Sequence, residues 1–500
     1  MLRILQATSA RSAQQQWRKT ATEAAFMTEL IHHSATELAQ LIAAGAVSCQ
    51  QAVTASLHQA QQLQGSVNAF ALIDHDGACA AAERADAVLR SGEPFGPLHG
   101  VPFSVKDLLD VQGLETGYGS WLMQGNIAHE DAECVRRLRA AGAILIGKTT
   151  TPEFAGSVLT ESLRYGTTTN PWDTAYTCGG SSGGAGAAVA AGCGPLALAT
   201  DGAGSARIPA SCCGVLGLKP TLGRIPHPQA PDLFSNFTHI GLLTRTLPDL
   251  AVMLNVLSGS DENDPWSCGR EWPQVQIRTE PQRHCEQLSA WYFPRMGNPR
   301  LADDVASLCT RAVQFLSSRG MGINNNVETL DWGIDASRVV MRSLMSARMS
   351  RFGAAEQARM GVGMRTAIAQ GEGMSARDVK QAPIVRAQLF RSVQKLLAEH
   401  PLLLSPTLGA APPRADIDPV GDFIIDGQSV GDLRSGWFTY PTPFNLTGHP
   451  AISIPIGFTD DGLPVGLHAV AAWGGEQLLL DLASMLVEHF DWPRAWPKLA

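Results

Sequence analysis

Residues 178–220 read CGGSSGGAGAAVAAGCGPLALATDGAGSARIPASCCGVLGLKP, and the rest of the chain is best understood outward from them. The stretch holds two serines in small-residue settings. Ser181 lies in Gly179-Gly180-Ser181-Ser182-Gly183-Gly184, and Ser205 in Asp201-Gly202-Ala203-Gly204-Ser205-Ala206-Arg207. Glycine at such density costs backbone entropy on folding, so it marks turns or places where another group comes close to the main chain. A serine held there can act as a nucleophile with backbone N–H groups beside it, which points to acyl transfer. The run between Asp173 and Asp201 carries no charge. It is rich in Gly, Ala and Ser and broken by Pro195, too weakly apolar for a membrane span, and it reads as buried, tightly packed backbone.

Composition sets the frame around this stretch. With 500 residues, 45% of them hydrophobic and 17% charged, the chain can bury a large core, and a single large α/β unit is a reasonable size for it. A net charge of −8 argues against non-specific nucleic-acid binding. The 10 cysteines lack the short regular spacing of a disulfide framework, so the adjacent Cys212 and Cys213 read as buried thiols. No CxxC or HExxH occurs, and no metal site is indicated. Residues 1–26 are basic and rich in Ser, Ala and Gln, as a transit peptide would be. They are taken here as an upstream extension, poorly ordered, with the folded protein starting near Met27. No apolar signal segment is present, and the localisation expected is cytoplasmic.

Upstream of the serines, Ser34 and Glu37 form a capping box ahead of a helix that Gly45 stops. Further helices are predicted from Ser48, over Ala78–Arg90 and over 131–141. Between them, Gly100-Val-Pro-Phe-Ser-Val-Lys-Asp reads as a short buried strand carrying Lys106 inward. A buried lysine is costly unless it is paired or neutral, and Asp107 is adjacent. The segment Gly142–Thr149 matches the P-loop expression, but Ala-Ile-Leu-Ile between its glycines is a strand core and the helix precedes it rather than follows. Nucleotide binding is therefore rejected. Gly179–Gly183 fits the GxSxG elbow, yet the residues before it, DTAYTC, are turn-like where that motif needs a strand. A serine–histidine–acid esterase using Ser181 would need His449, His468 or His489. Downstream, a helix is expected over 247–259, irregular chain over 261–300 and helices over 301–400. The methionines of VVMRSLMSARMSRFG read as core packing. A strand LLLSPT, a loop, the block PTPFNLTGHPAISIPIG, a hairpin and a C-terminal helix ending near Phe490 complete the chain. Strands and helices alternate throughout, the mark of an α/β architecture.

Together the lysine strand GVPFSVKD, the GGSSGG loop, DGAGSARIPA with CGVLGLKPT, and NLTGHPAISIPIG resemble the amidase signature family. Lys106 and Ser181 are 75 residues apart and the two serines 24 apart, as in that family. The resemblance implies one α/β/α domain over 27–495, with a central mixed, mostly parallel twisted sheet covered by helices on both faces. It implies a Ser–Ser–Lys triad: Ser205 as nucleophile, Ser181 following a cis peptide after Gly180 and bridging to a neutral Lys106. The backbone N–H groups of Gly202, Ala203, Gly204 and Ser205 would form the oxyanion hole. No cofactor is implied, the partner is a small-molecule amide, neither nucleic acid nor membrane is involved, and a homodimer is the family expectation. Ser182 and Lys148 are read as structural, Asp201 and Arg207 as an ion pair fixing the loop, and Trp437, Phe444 and Asn445 as plausible pocket lining or, at least as well, as packing residues. Many members carry two glycines before the nucleophile where this chain has Ala203-Gly204. An alanine still donates its N–H if its φ is negative. The Ala-Gly-Ser form is similar to stand-alone amidases, including hydrolases of the 6-aminohexanoate cyclic dimer. The alternatives are the tRNA-dependent glutamyl-tRNA(Gln) amidotransferase in its A-type component, the esterase above, and a non-catalytic binding protein.

Overall fold

The computed structural model describes residues 26–235, 237–281, 285, 288–325 and 330–498. The expected extension therefore lies outside the described residues apart from Phe26, which packs with Met27 against the core. The strands in chain order begin with β1 (Phe70–Ile73), β2 (Pro102–Lys106), β3 (Ile144–Thr149) and a short ribbon, β4 (Glu161–Ser162) with β5 (Gly166–Thr167). β6 (Leu196–Asp201), β7 (Leu216–Lys219), β8 (His239–Thr244), β9 (Ser289–Tyr292), β10 (Gly322–Asn325) and β11 (Leu402–Pro406) follow. A second ribbon, β12 (Ile424–Ile425) with β13 (Gln428–Ser429), precedes β14 (Ala451–Phe458) and β15 (Pro464–Ala471).

Among the described residues the main sheet has 11 strands in the order β1-β3-β2-β6-β8-β7-β14-β15-β11-β9-β10. The α/β class and the mixed sheet are as expected, but parallel pairing is in the minority. Four neighbouring pairs are parallel and six antiparallel. The cause is in the connections. Parallel neighbours need a crossover such as the helix Glu133–Ala140 before β3, whereas β14 and β15 are joined by a tight turn that forces them antiparallel. Strands β9 and β10 are further corrections, since they occupy stretches expected to be irregular and helical. Each has only four residues, too short for an alternation to register.

The charge-free run forms the helix Gly183–Ala190, buried on every side. Its small residues are required: a Cβ on Gly184 would fall 2.3 Å from Thr150 Oγ1 and 2.5 Å from the Ala69 carbonyl. This helix packs on the helix Arg207–Cys213, which lies over β7, β14 and β15. The helices Leu247–Leu257 and Glu476–Phe490 cover β7, β8 and β14 as well. The predicted helices appear as Ala35–Ala43, with its Ser34–Glu37 capping box, Cys49–Leu63, His75–Ser91 and Glu133–Ala140. All 10 cysteines are unbridged, Cys212 and Cys213 fully buried. No described helix is long and apolar enough to cross a membrane.

Candidate active site

Parallel strands β2 and β6 lie side by side, and their C-terminal ends bring Lys106 beside Thr200. Lys106 is completely buried. Its Nζ bonds three hydroxyls, Ser181 Oγ at 2.7 Å, Ser182 Oγ at 2.9 Å and Thr200 Oγ1 at 3.1 Å. No carboxylate is in contact with it among the described residues. Burial pushes the amine well below its ordinary range, and the nearby Asp201 opposes this without overcoming it. A neutral amine has two N–H donors and a lone pair, so of three hydroxyl neighbours one can donate to it. Ser182 cannot be that one, because its hydroxyl donates to the Thr200 carbonyl at 3.1 Å. Ser181 carries no such commitment. The Gly180–Ser181 peptide bond is cis.

Ser205 stands in the turn between β6 and the helix Arg207–Cys213, half-buried, with its carbonyl accepting from the Ser182 N–H at 3.2 Å. Among the described residues no hydrogen bond joins the Ser181 and Ser205 hydroxyls. Asp201 builds the turn. Its carboxylate accepts from the N–H groups of Gly204 at 2.8 Å and Ala206 at 3.2 Å, and from Arg207 Nε at 3.0 Å and Nη2 at 2.9 Å. Burial alone would raise Asp201, but the Arg207 guanidinium, the Asn445 amide and Lys219 hold it well below the usual carboxylate range. The expected Asp201–Arg207 pair is therefore present, both partners fully buried. It has a consequence for the expected oxyanion hole: the Gly204 N–H is already bonded to Asp201. The N–H groups of Gly202, Ala203 and Ser205 have no protein acceptor among the described residues. Ala203 does not take a positive φ. Gly204 does, at +110°, where a Cβ would meet Pro441 at 2.7 Å, so only glycine fits.

A cavity of about 500 Å³ opens onto Ser181, Thr200, Gly202, Ala203 and Ser205. Its apolar wall is Leu108, Tyr118, Phe154, Phe237, Met341, Leu344 and Met345, with Arg348, Arg351 and His227 at its polar side. Two open readings are decided here. Trp437, Phe444 and Asn445 do not line this cavity: Trp437 bonds the Ala410 carbonyl, Phe444 packs in a core with Trp332, and Asn445 holds Asp201 and Arg207. The Met-rich segment is both core and cavity wall: Met345 and Met349 pack with Phe154, while Met341, Leu344 and Met345 line the cavity. It forms one helix, Ile334–Met349, in which Met345 serves both purposes.

None of the histidines considered for an esterase touches either serine. His468 lies against Arg207 at 2.8 Å, His489 stacks on Phe315, and burial pushes His449 down to about 3. Ser181 also lacks the preceding strand that an elbow needs. Lys148 is structural, as read: it pairs with Asp107 at 3.0 Å and donates to Thr116 Oγ1 at 2.7 Å, in no phosphate cradle. Thr200 was missed by sequence reasoning. The signal was its place at the end of a strand parallel to that of Lys106.

The amidase family model matches residues 51–480. An acylamidase from Rhodococcus erythropolis is 34% identical over 480 residues, covering 94% of this chain and 98% of its own length. The A-type component of glutamyl-tRNA(Gln) amidotransferase from Chloroflexus aurantiacus is 31% identical over 505 residues, covering 95% of this chain and 100% of its own. The structure of 6-aminohexanoate cyclic dimer hydrolase superposes with a TM-score of 0.79 at 28% identity, covering 94% of this chain and 99% of that one.

Proposed function

The chain belongs to the amidase family and hydrolyses carbon–nitrogen amide bonds; from that premise we propose that it does so through Ser205, Ser181 and Lys106, as an amidase working on small molecules without a partner. The observation that carries the reading is the fully buried Lys106, which faces only hydroxyls and is depressed by burial. Burial disfavours the charged form of a lysine so placed, which suits it to accept a proton in this reading.

In this reading the substrate carbonyl lies over Ser205 with its oxygen toward the N–H groups of Gly202, Ala203 and Ser205. As Ser205 Oγ bonds to the carbonyl carbon, its proton passes to Ser181 Oγ and the Ser181 proton passes to Lys106 Nζ. The negative charge moves onto the carbonyl oxygen, where fixed N–H donors stabilise it; each donor typically accounts for about 10²–10³ in rate. When the tetrahedral intermediate collapses, the C–N bond breaks and the proton returns along the same path to the leaving nitrogen, so that ammonia or an amine departs. Water then attacks the acyl ester on Ser205 by the same relay and releases the acid.

A second reading is favoured by the amidotransferase relative, which matches 95% of this chain over its own whole length. It predicts glutaminase activity that depends on a partner protein. The test is intact-mass labelling with a fluorophosphonate, followed by an amide panel with the isolated protein. A single adduct lost in Ser205→Ala, weakened in Ser181→Ala and Lys106→Ala and kept in His489→Ala is the result expected. Labelling that survives in Ser205→Ala contradicts the assignment, and amide turnover that appears only with an added partner favours the second reading.

A further inference from the structure

Ser205 and Ala203 also line a second, smaller cavity of about 90 Å³, which shares Ala155 and Met341 with the large one. Its remaining wall includes Arg342, Asp432, Arg434 and Phe438. Arg434 is only 8% exposed and lies 4.9 Å over the Phe438 ring. It makes no hydrogen bond to the protein among the described residues, and its Nη1 is buried without a partner. Arg342 is in the same condition at Nε, as is Arg338 just behind the wall. Asp432 is the one acid on this wall among the described residues. Its carboxylate already accepts from the Ser435 N–H at 2.8 Å and O–H at 2.6 Å, capping a helical turn, and from Arg338 at 3.4 Å.

Guanidinium groups are not buried unpaired without reason, since an uncompensated charge in a low-dielectric site is costly. Here two of them line the wall beside the nucleophile, and Asp432, the one carboxylate on that wall among the described residues, is engaged elsewhere. Burial, with Arg342 and Arg338 adding to it and Asp432 opposing, pushes Arg434 down to about 9, the mark of a cation lacking its counter-charge. The planar fork of arginine matches a carboxylate in geometry as well as charge.

We propose that this small cavity is a carboxylate subsite: the natural amide carries a carboxylate a short chain away from the scissile carbonyl, held by Arg434 and Arg342, while its other half occupies the large cavity. The proposal rests on the reading of Ser205 as the nucleophile. A site built to bond a charged group leaves its own polar atoms unpaired when an isostere lacks that group, and it discriminates accordingly.

Two matched pairs test this by kcat/KM. N-Phenylsuccinamate against N-phenylisocaproamide places the carboxylate on the acyl side, and N-benzoylglycine against N-isobutylbenzamide places it on the amine side. In one pair the carboxylate is expected to be favoured by about tenfold or more, mainly through KM. That advantage should fall to within about threefold in Arg434→Gln and in Arg342→Gln, with partial recovery in Arg434→Lys. Arg342 is half-buried, so Arg342→Gln carries the test if Arg434→Gln does not fold. Preference for the neutral member in both pairs, or an advantage that survives in the glutamine variants, overturns the subsite while leaving the amidase reading intact. Failure of all four amides together with failure of Ser205 to take the fluorophosphonate overturns both.

Discussion

Strands β2 and β3 run side by side, and each carries near its C-terminal end a lysine that solvent does not reach, Lys106 on one and Lys148 on the other. Lys148 is aligned with Val105, one residue short of Lys106, so the two side chains leave the sheet on opposite faces. The same alternation sends Asp107 to the Lys148 side. There it forms a 3.0 Å ion pair, completed by the Tyr165 hydroxyl at 2.7 Å and the Gly117 N–H at 3.1 Å. Burial lowers Lys148 too, but Asp107 pulls it back toward charge. Lys106, adjacent to Asp107 in sequence, is denied that carboxylate and faces three hydroxyls. One lysine is held as half of an ion pair and the other, the proposed base, among hydroxyls, and the period of a β-strand decides which is which.

The sharpest separation between the two regions is expected from Ser205→Ala, which should lower kcat/KM by about 10⁴–10⁶ with little change in unfolding temperature. Lys106→Met and Ser181→Ala should each cost about 10²–10⁴ in rate, measured on the same amide, with the fold retained. Lys148→Met should do the reverse. It leaves Asp107 buried and unpaired, so denaturant titration should show a loss of about 3–5 kcal/mol, while the activity of the folded fraction stays within about tenfold. A large rate loss with unchanged stability in Lys148→Met would break the distinction. Titration also separates them. Lys106 has a folded pKa below its unfolded value of 10.5, so between the two the unfolded chain binds more protons. Its burial therefore destabilises most at the lower end of that window, and the penalty shrinks as pH rises. Lys106→Met should flatten this rise in stability, and the rate with wild type should fall as pH drops through the depressed pKa. The smallest effect is expected from Ser182→Ala, within about tenfold in rate, because its proton is committed to the Thr200 carbonyl.

Much of the site was legible because its chemistry is written in short, unusual segments. Lys106, Ser181 and Ser205 sit in motifs whose small residues are dictated by close packing, as Gly184 shows. The pairing of Lys148 with Asp107 was less legible, since adjacency suggested Asp107 for Lys106 until strand alternation assigned it to the other face. The occupied N–H of Gly204 was not legible at all, because it depends on how the Asp201 carboxylate turns back under its own loop. Nor was the cavity wall. Met341 and Met345 have the spacing of any amphipathic helix, and only the tertiary packing shows that they face the site, Met345 against Phe154. The antiparallel majority in the sheet was hidden for a similar reason, since alternating strands and helices suggest crossovers whether or not each helix lies between neighbouring strands.

Everything in this mechanism turns on Lys106 being neutral where Lys148 is charged. Protein labelled with ¹³C at the lysine ε-carbons, assigned by comparison with Lys106→Met and Lys148→Met, reports this directly through its NMR shifts across a pH titration. The Lys106 ε-carbon is expected to keep the shift of a free amine well below the ordinary lysine range, while Lys148, paired with Asp107, turns to the ammonium shift at a higher pH. A Lys106 resonance that stays in the ammonium position up to the ordinary lysine range would contradict the neutral-base mechanism.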